Sequence, residues 1–232
     1  EIGVRLVGSE MCIRDRQKGV WTSVDIPLTS LNKKEDIAQL VLSSVNMPDV
    51  YIDNIFFYQD ESTVANEPTT PAPTPTHATD KVVSIYSDAY ENVPVATWSA
   101  DWDMADVSDT QVAGNPVKKY TLNGFSGIEL ASPFADAGNM SHFHLDVWVP
   151  EQITGNLNIK LVDFGPDGVY GGGDDVEHEL TLPEITPGEW NSIDIPLSDF
   201  TNLVTRNHVA QVLLIGNVPT LYLDNLYMYS DN

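Results

Sequence analysis

The chain of 232 residues holds a single cysteine, Cys12, so no disulfide can form within it. Basic residues are scarce: 11 Lys and Arg stand against 34 Asp and Glu, a formal charge of −23. Such a surface repels nucleic acid and anionic lipid, and it disfavours anionic polysaccharide unless a local basic patch intervenes. A neutral ligand is the expectation. No apolar run reaches the length that spans a bilayer, so no membrane insertion is expected, and no signal peptide is visible. Neither GxSxG nor HExxH occurs, which leaves no catalytic motif to build on. Carboxylates are so plentiful that spacing alone identifies no glycosidase dyad. What the chain does have is 42% apolar residues, enough to build a core, and an internal repeat.

Residues 190–229 read WNSIDIPLSDF and then VAQVLLIGNVPTLYLDNLYMY. From residue 21 the chain reads WTSVDIPLTSL and then IAQLVLSSVNMPDVYIDNIFFY. Trp21 matches Trp190, Asp25 matches Asp194, Pro27 matches Pro196 and Gln39 matches Gln211. The pair Asp53-Asn54 matches Asp224-Asn225. A repeat of this length implies two homologous units. Residues 81–232 are expected to form a complete unit, and residues 17–60 only the C-terminal part of another. The partial copy carries three strand signals, WTSVDIPL, IAQLVLSSV and VYIDNIFFY, which leave a hydrophobic face unburied. Residues 4–16, VRLVGSEMCIRDR, resemble the translated read-through of a sequencing adaptor, so residues 1–16 are expected to be an artefact. Residues 61–80, ESTVANEPTTPAPTPTHATD, read as an extended Pro/Thr linker with no core-forming residues and a solvated His77.

In residues 81–232 the strand candidates are KVVSIYS, VKKYTLN, GIELA, SHFHLDVWV, LNIKLVDF, VEHELTL, NSIDIPL, AQVLLIG and LYLDNLYMY. Gly, Pro and Asn punctuate them, and helical periodicity is slight. Many short strands with such punctuation indicate an all-β sandwich or barrel, and a jelly-roll β-sandwich is the specific expectation.

Alternation in SHFHLDVWVP sends Phe143, Leu145, Val147 and Val149 to the core and His142, His144, Asp146 and Trp148 to the other face. An indole beside His and Asp suits a sugar platform, since pyranose C–H faces stack on aromatic rings while polar neighbours bond the hydroxyls. The alternative is that Trp148 lies under a loop. YENVPVATWSADWDMADV reads as a long loop carrying Tyr90, Trp98 and Trp102, which either cap the core or form a sugar-binding wall. DFGPDGVYGGGDD places Asp163, Asp167, Asp174 and Asp175 in a Gly-rich loop that could wrap Ca²⁺, although its spacing is not that of an EF-hand. Asp88 after the first strand and Asp224 in the last are a second candidate pair for calcium. For both sets the alternative is solvated or turn acids.

Taken together, VVSIYSDAYENVP, the WSADW loop, VAGNPVKKY, FHLDVWVP, GEWNSIDIPLSDF and LYLDNLYMY resemble a carbohydrate-binding-module-like domain. Such domains are appended to laminarinase-type glycoside hydrolases and surface glycan-binding proteins. The resemblance implies a β-jelly roll, an extracellular or cell-surface location, no catalysis and a structural calcium. In similar modules an Asp in the final strand, here Asp224, helps hold the ion with partners near the first strand. The first unit lacks the SDAY and WSADW motifs, which puts binding by that unit in doubt. The expected function is non-catalytic binding of a polysaccharide, a neutral β-glucan such as laminarin, that targets a covalently linked upstream catalytic domain. Trp98, Trp102 and Trp148 would stack sugars, with Tyr90 beside them, and His144 and Asp146 would bond hydroxyls. The rival readings are a hydrolase or lyase domain and a structural or adhesion repeat.

Overall fold

The computed structural model describes residues 2–6, 9–13, 20–21, 23–24, 39–44, 49, 51–57 and 65–231. They fall in two units, Glu1–Asp60 and Glu61–Asn232. In the first, β1 (Ile2–Leu6) pairs antiparallel with β2 (Ser9–Ile13) and with β3 (Leu42–Ser44). Residues 1–16, expected to be foreign to the protein, thus carry two of the three strands among this unit's described residues. IAQLVLSSV is represented by β3, while most of WTSVDIPL lies outside the described residues. The expected strand VYIDNIFFY is a correction: residues 51–57 carry no strand, and Tyr51, Ile52, Ile55, Phe56 and Phe57 are all exposed.

The matched Asp-Asn pair nevertheless has one local geometry in both units. Asn54 has φ 54° and donates its N–H to Asp53 Oδ1 at 2.8 Å. Asn225 has φ 48° and donates to Asp224 Oδ1 at 2.7 Å. Asn is among the few residues that adopt this left-handed backbone routinely, and the preceding carboxylate holds its N–H there.

Nine strands build the second unit among the described residues. They are β4 (Val82–Tyr86), β5 (Val95–Thr97), β6 (Ala105–Val112), β7 (Asn115–Leu130), β8 (His142–Trp148), β9 (Asn158–Asp163), β10 (Val176–Thr181), β11 (Asn191–Pro196) and β12 (Val209–Tyr229). All strand pairs are antiparallel. Two strands are long because each serves two layers. The first part of β12 lies between β9 and the second half of β7. Its later part has β8 on one side and β4 with the first half of β7 on the other. One layer is therefore β11, β8, β12 and β4 with β7 and β6; the other is β10, β9, β12, β7 and β5.

VKKYTLN and GIELA are thus one strand, β7, and AQVLLIG and LYLDNLYMY are one strand, β12. Gly124 and Gly216, which read as breaks, pair with each other where these strands pass between layers. Glycine in a strand marks such a bend rather than an end. The stretch read as a long loop contains β5 and the start of β6. Both are short or mostly polar edge strands, so no apolar alternation announced them.

Inward rows from both layers meet in one core: Phe143, Leu145 and Val147 of β8, Ile193 and Ile195 of β11, Ile159 and Leu161 of β9, Val212 and Leu214 of β12. Each such side chain contributes roughly 1.5–3 kcal/mol on burial, so these rows fix which residues are left facing outward.

Candidate functional site

His144, Asp146 and Trp148 do share the outward face of β8, yet all three are buried, Trp148 to 2% exposure. The Pro/Thr segment is bonded to residues around them. Trp190 Nε1 donates to the Thr70 carbonyl at 2.8 Å, Asn225 Nδ2 to that of Pro73 at 3.0 Å, and Tyr90 Oη to that of His77 at 3.0 Å. His77 stacks on Tyr229 with ring centroids 3.8 Å apart and bonds Tyr227 Oη at 3.2 Å. Pro68 and Ala72 are buried. An extended Pro-rich backbone makes no internal hydrogen bonds, so its carbonyls are free to accept. Three side-chain donors of the domain reach three of them. This ties residues 65–77 to the domain and corrects the solvated His77, which is half-buried.

It also corrects the expectation that Trp148, His144 and Asp146 meet a sugar. Trp148 belongs to a small cluster with Val112, Val117 and Tyr222. Asp146 accepts from Ser192 Oγ and from Asn225 Nδ2. His144 Nδ1 lies 2.8 Å from Asp194 Oδ1. Burial alone would lower the pKa of His144, but hydrogen bonds to Asp146 and Asp194 raise it overall. Tyr90 is half-buried and stands edge-on to Tyr227.

The WSADW loop separates its two indoles. Trp98 is half-buried against the core, edge-on to Tyr86, with Lys118 Nζ 4.3 Å from its ring centroid. Its carbonyl accepts from Tyr120 Oη at 2.8 Å. It packs against the core, which was the alternative reading of this residue. Trp102 is 47% exposed. Asp103, a residue the sequence reading passed over, sets its position. The carboxylate accepts from Ser99 Oγ, Ala100 N, Ala105 N and, across to β7, Gly127 N at 2.9 Å. The six-membered ring of Trp102 then lies against Gly127, where an added Cβ would come within 2.3 Å of Cη2. Phe125 stacks beside it at 6.0 Å, and Trp102 Nε1 donates to Glu129 Oε1 at 3.2 Å.

Gly127 belongs to an outward grid on the second layer. Register aligns Glu129, Gln211, Val162 and Glu177 in one row and Gly127, Leu213, Lys160 and Glu179 in the next. Phe125, Ile215, Asn158 and Thr181 form the third. The floor, Val162, Gln211 and Leu213, is buried but lies outside the core cluster. Trp102, Glu177 and Glu179 are exposed, and Phe125, Glu129, Asn158 and Lys160 are half-buried. Gln211 Nε2 donates to Glu129 Oε1 at 3.0 Å, and Lys160 Nζ lies 2.6 Å from Glu177 Oε1. One indole held in place among amide, ammonium and carboxylate groups can stack on an apolar ring face and bond its hydroxyls.

Of the acids considered for calcium, Asp163 is buried and anchors the loop, accepting from Gly165 N, Thr205 Oγ1 and His208 N. Asp167 accepts from Val169 N and Asp175 from Gly171 N. Asp167 and Asp174 close over Gly172. Asp224 is 1% exposed and accepts from Asn225 N and from Asn115 Nδ2 at 2.6 Å. Burial pushes its carboxyl up to about 6 against those hydrogen bonds, with the charges of Asp88 and Asp146 adding to the rise. The donor geometry does not close a site: no group of three or more His, Cys, Asp or Glu among the described residues is arranged to hold a metal ion.

No protein-family model matches the chain, and no curated protein matches it. Solved structures do. The family 30 carbohydrate-binding module of cellulosomal cellulase Cel9D-Cel44B of Clostridium thermocellum is 15% identical, over 65% of this chain and 98% of that one, with a TM-score of 0.49. The family 11 module from Clostridium thermocellum, in complex with a β-1,3-1,4-mixed-linked tetrasaccharide, is 11% identical over 65% and 95%, with a TM-score of 0.45. SGBP-B from a complex xyloglucan utilization locus in Bacteroides uniformis is 11% identical over 66% and 50%, with a TM-score of 0.41. These are likenesses of fold, and no residue role is transferred from them.

Proposed function

We propose that residues 65–231 form a non-catalytic carbohydrate-binding domain whose contact face is the outward grid around Trp102. The observation that carries this reading is the half-exposed indole, fixed by Asp103, Gly127 and Glu129 rather than left to move freely. Rigid aromatic rings with adjacent hydrogen-bonding groups are efficient anchors because little conformational entropy is lost on contact. The ligand is a neutral polysaccharide, and a β-glucan such as laminarin is the substrate class proposed. A formal charge of −23 disfavours an anionic chain. The domain would act outside the cell or at its surface, holding a linked catalytic domain against its substrate. The jelly-roll form of the sandwich, and the reading of residues 17–60 as a partial copy of it, belong to the same proposal.

The absence of catalysis is also part of the proposal. The carboxylate whose proton affinity is most clearly raised, Asp224, lies on the covered layer and not beside the indole. Calcium enters as a separable element beside Asp224 and Asp88; if it binds there, chelation lowers the melting temperature and added Ca²⁺ restores it. Affinity electrophoresis of the chain through gels containing laminarin, mixed-linkage β-glucan, alginate or agarose tests the main reading. Retardation by a β-glucan is expected. Equal mobility in all gels would remove the proposal.

A further inference from the structure

The layer that carries Trp102 has a second aromatic group that the reading above does not use. Phe164 follows Asn158, Lys160 and Val162 in the outward series of β9, and its N–H continues the ladder to the His208 carbonyl at 3.0 Å. Phe134 packs edge-on against Phe164 with centroids 5.7 Å apart, and Tyr170 tilts against it at 5.6 Å. Tyr170 is 62% exposed, and its neighbour Val169 is exposed too. The backbone on both sides of Tyr170 is held: Val169 N donates to Asp167 Oδ1 at 2.9 Å and Gly171 N to Asp175 Oδ2 at 2.7 Å. Asp163 closes the base of the same loop. The acids that resembled a cation loop therefore hold an exposed aromatic side chain in place.

Its position follows from register. Gly127 pairs with Leu213, and Leu213 with Lys160, so β9 is two strands away from the glycine under Trp102. Phe164 is four residues further along β9 than Lys160. At about 4.8 Å between strands and 3.4 Å per residue, the two aromatic groups stand roughly 16 Å apart across the grid. We propose that Trp102 and the Tyr170–Phe164 corner are the two ends of one binding track. The ligand it fits is a stretch of neutral β-glucan several sugar rings long, not a single sugar. Charge supports a neutral chain: Lys160, within the grid, is already paired with Glu177, and Glu129 and Glu179 surround it. The inference rests on the reading of Trp102 as a sugar contact.

Calorimetric titration of the whole chain with laminarin, mixed-linkage β-glucan and their oligosaccharides of increasing length tests it. Affinity of the parent should rise with length. Tyr170→Ala should leave affinity for the shortest binding oligosaccharide unchanged and lose about tenfold on the polymer, as expected for removal of one aromatic anchor. Tyr170→Phe should retain most of the gain. Because Tyr170 is exposed, an unchanged melting temperature will separate lost contact from lost fold. If Tyr170→Ala binds every length as the parent does while Trp102→Ala binds none, the two-ended track is wrong and the Trp102 site stands. If both variants bind like the parent, or the parent binds neither glucan, the track and the site fall together.

Discussion

On β8, His144, Asp146 and Trp148 alternate with core residues; across β10, β9 and β7, Glu177, Lys160 and Glu129 do the same. The first set is buried and the second reaches solvent. Period-2 alternation tells which residues avoid the core between the layers. It does not tell what else lies over them. Over the first layer lies a strap of Pro and Thr held through its carbonyls; over the second stand one indole and a few polar side chains. The lesson is that an aromatic residue on an outward row becomes a binding candidate only after every segment able to cover it has been placed.

The largest expected effect separates the two indoles by stability. Trp148→Ala removes a buried ring and should cost about 3–5 kcal/mol, seen as a large drop in the midpoint of urea unfolding. Trp102→Ala, at a half-exposed ring, should shift that midpoint far less. Next in size is the strap. A chain beginning at residue 78 loses the cover over Trp190, Tyr227 and Tyr229 and should melt several degrees lower, about 2–4 °C per kcal/mol lost. An unchanged melting temperature would mean that the strap is only resting on the first layer. Smaller again is Gly127→Ala. The new methyl displaces Trp102 without removing it, so β-glucan affinity should fall by about tenfold while the fold persists.

The smallest effect is on pH. The folded carboxyl of Asp224, pushed up to about 6 by burial, binds a proton more tightly than an ordinary aspartate at 3.8. Stability from this group therefore declines as pH rises across roughly that interval. His144 has a raised pKa, so its contribution is full below 6.5 and is lost as pH rises through its folded value. Both act in the same direction, and lower pH also relieves repulsion in an acidic chain. Urea unfolding should show greater stability at pH 5 than at pH 8, and Asp224→Asn should flatten the profile.

Much of the fold was legible because inward rows such as Phe143, Leu145 and Val147 alternate cleanly. Gly124 and Gly216 misled, since a bend shared by two paired strands looks like two loop ends. β6 was invisible because Asp106, Ser108 and Asp109 give an edge strand no apolar signature. In the site, Trp102 was legible as an aromatic on a polar segment, while Trp98, four residues earlier, had the same surroundings and a different fate. Asp103 carried a readable signal: a carboxylate among Ser99, Ala100 and Ala105 can bond several nearby backbone N–H groups and close a loop. Its fourth bond, to Gly127, depends on tertiary structure. The strap was not legible because a polyproline segment binds through carbonyls that every sequence possesses.

Titration of Trp102→Ala with laminarin and mixed-linkage β-glucan, beside the parent chain and with unfolding midpoints measured on both, tests the account most directly. The account predicts that the variant stays folded and loses binding to whichever glucan the parent retains. A folded variant that binds that glucan with the affinity of the parent would contradict it.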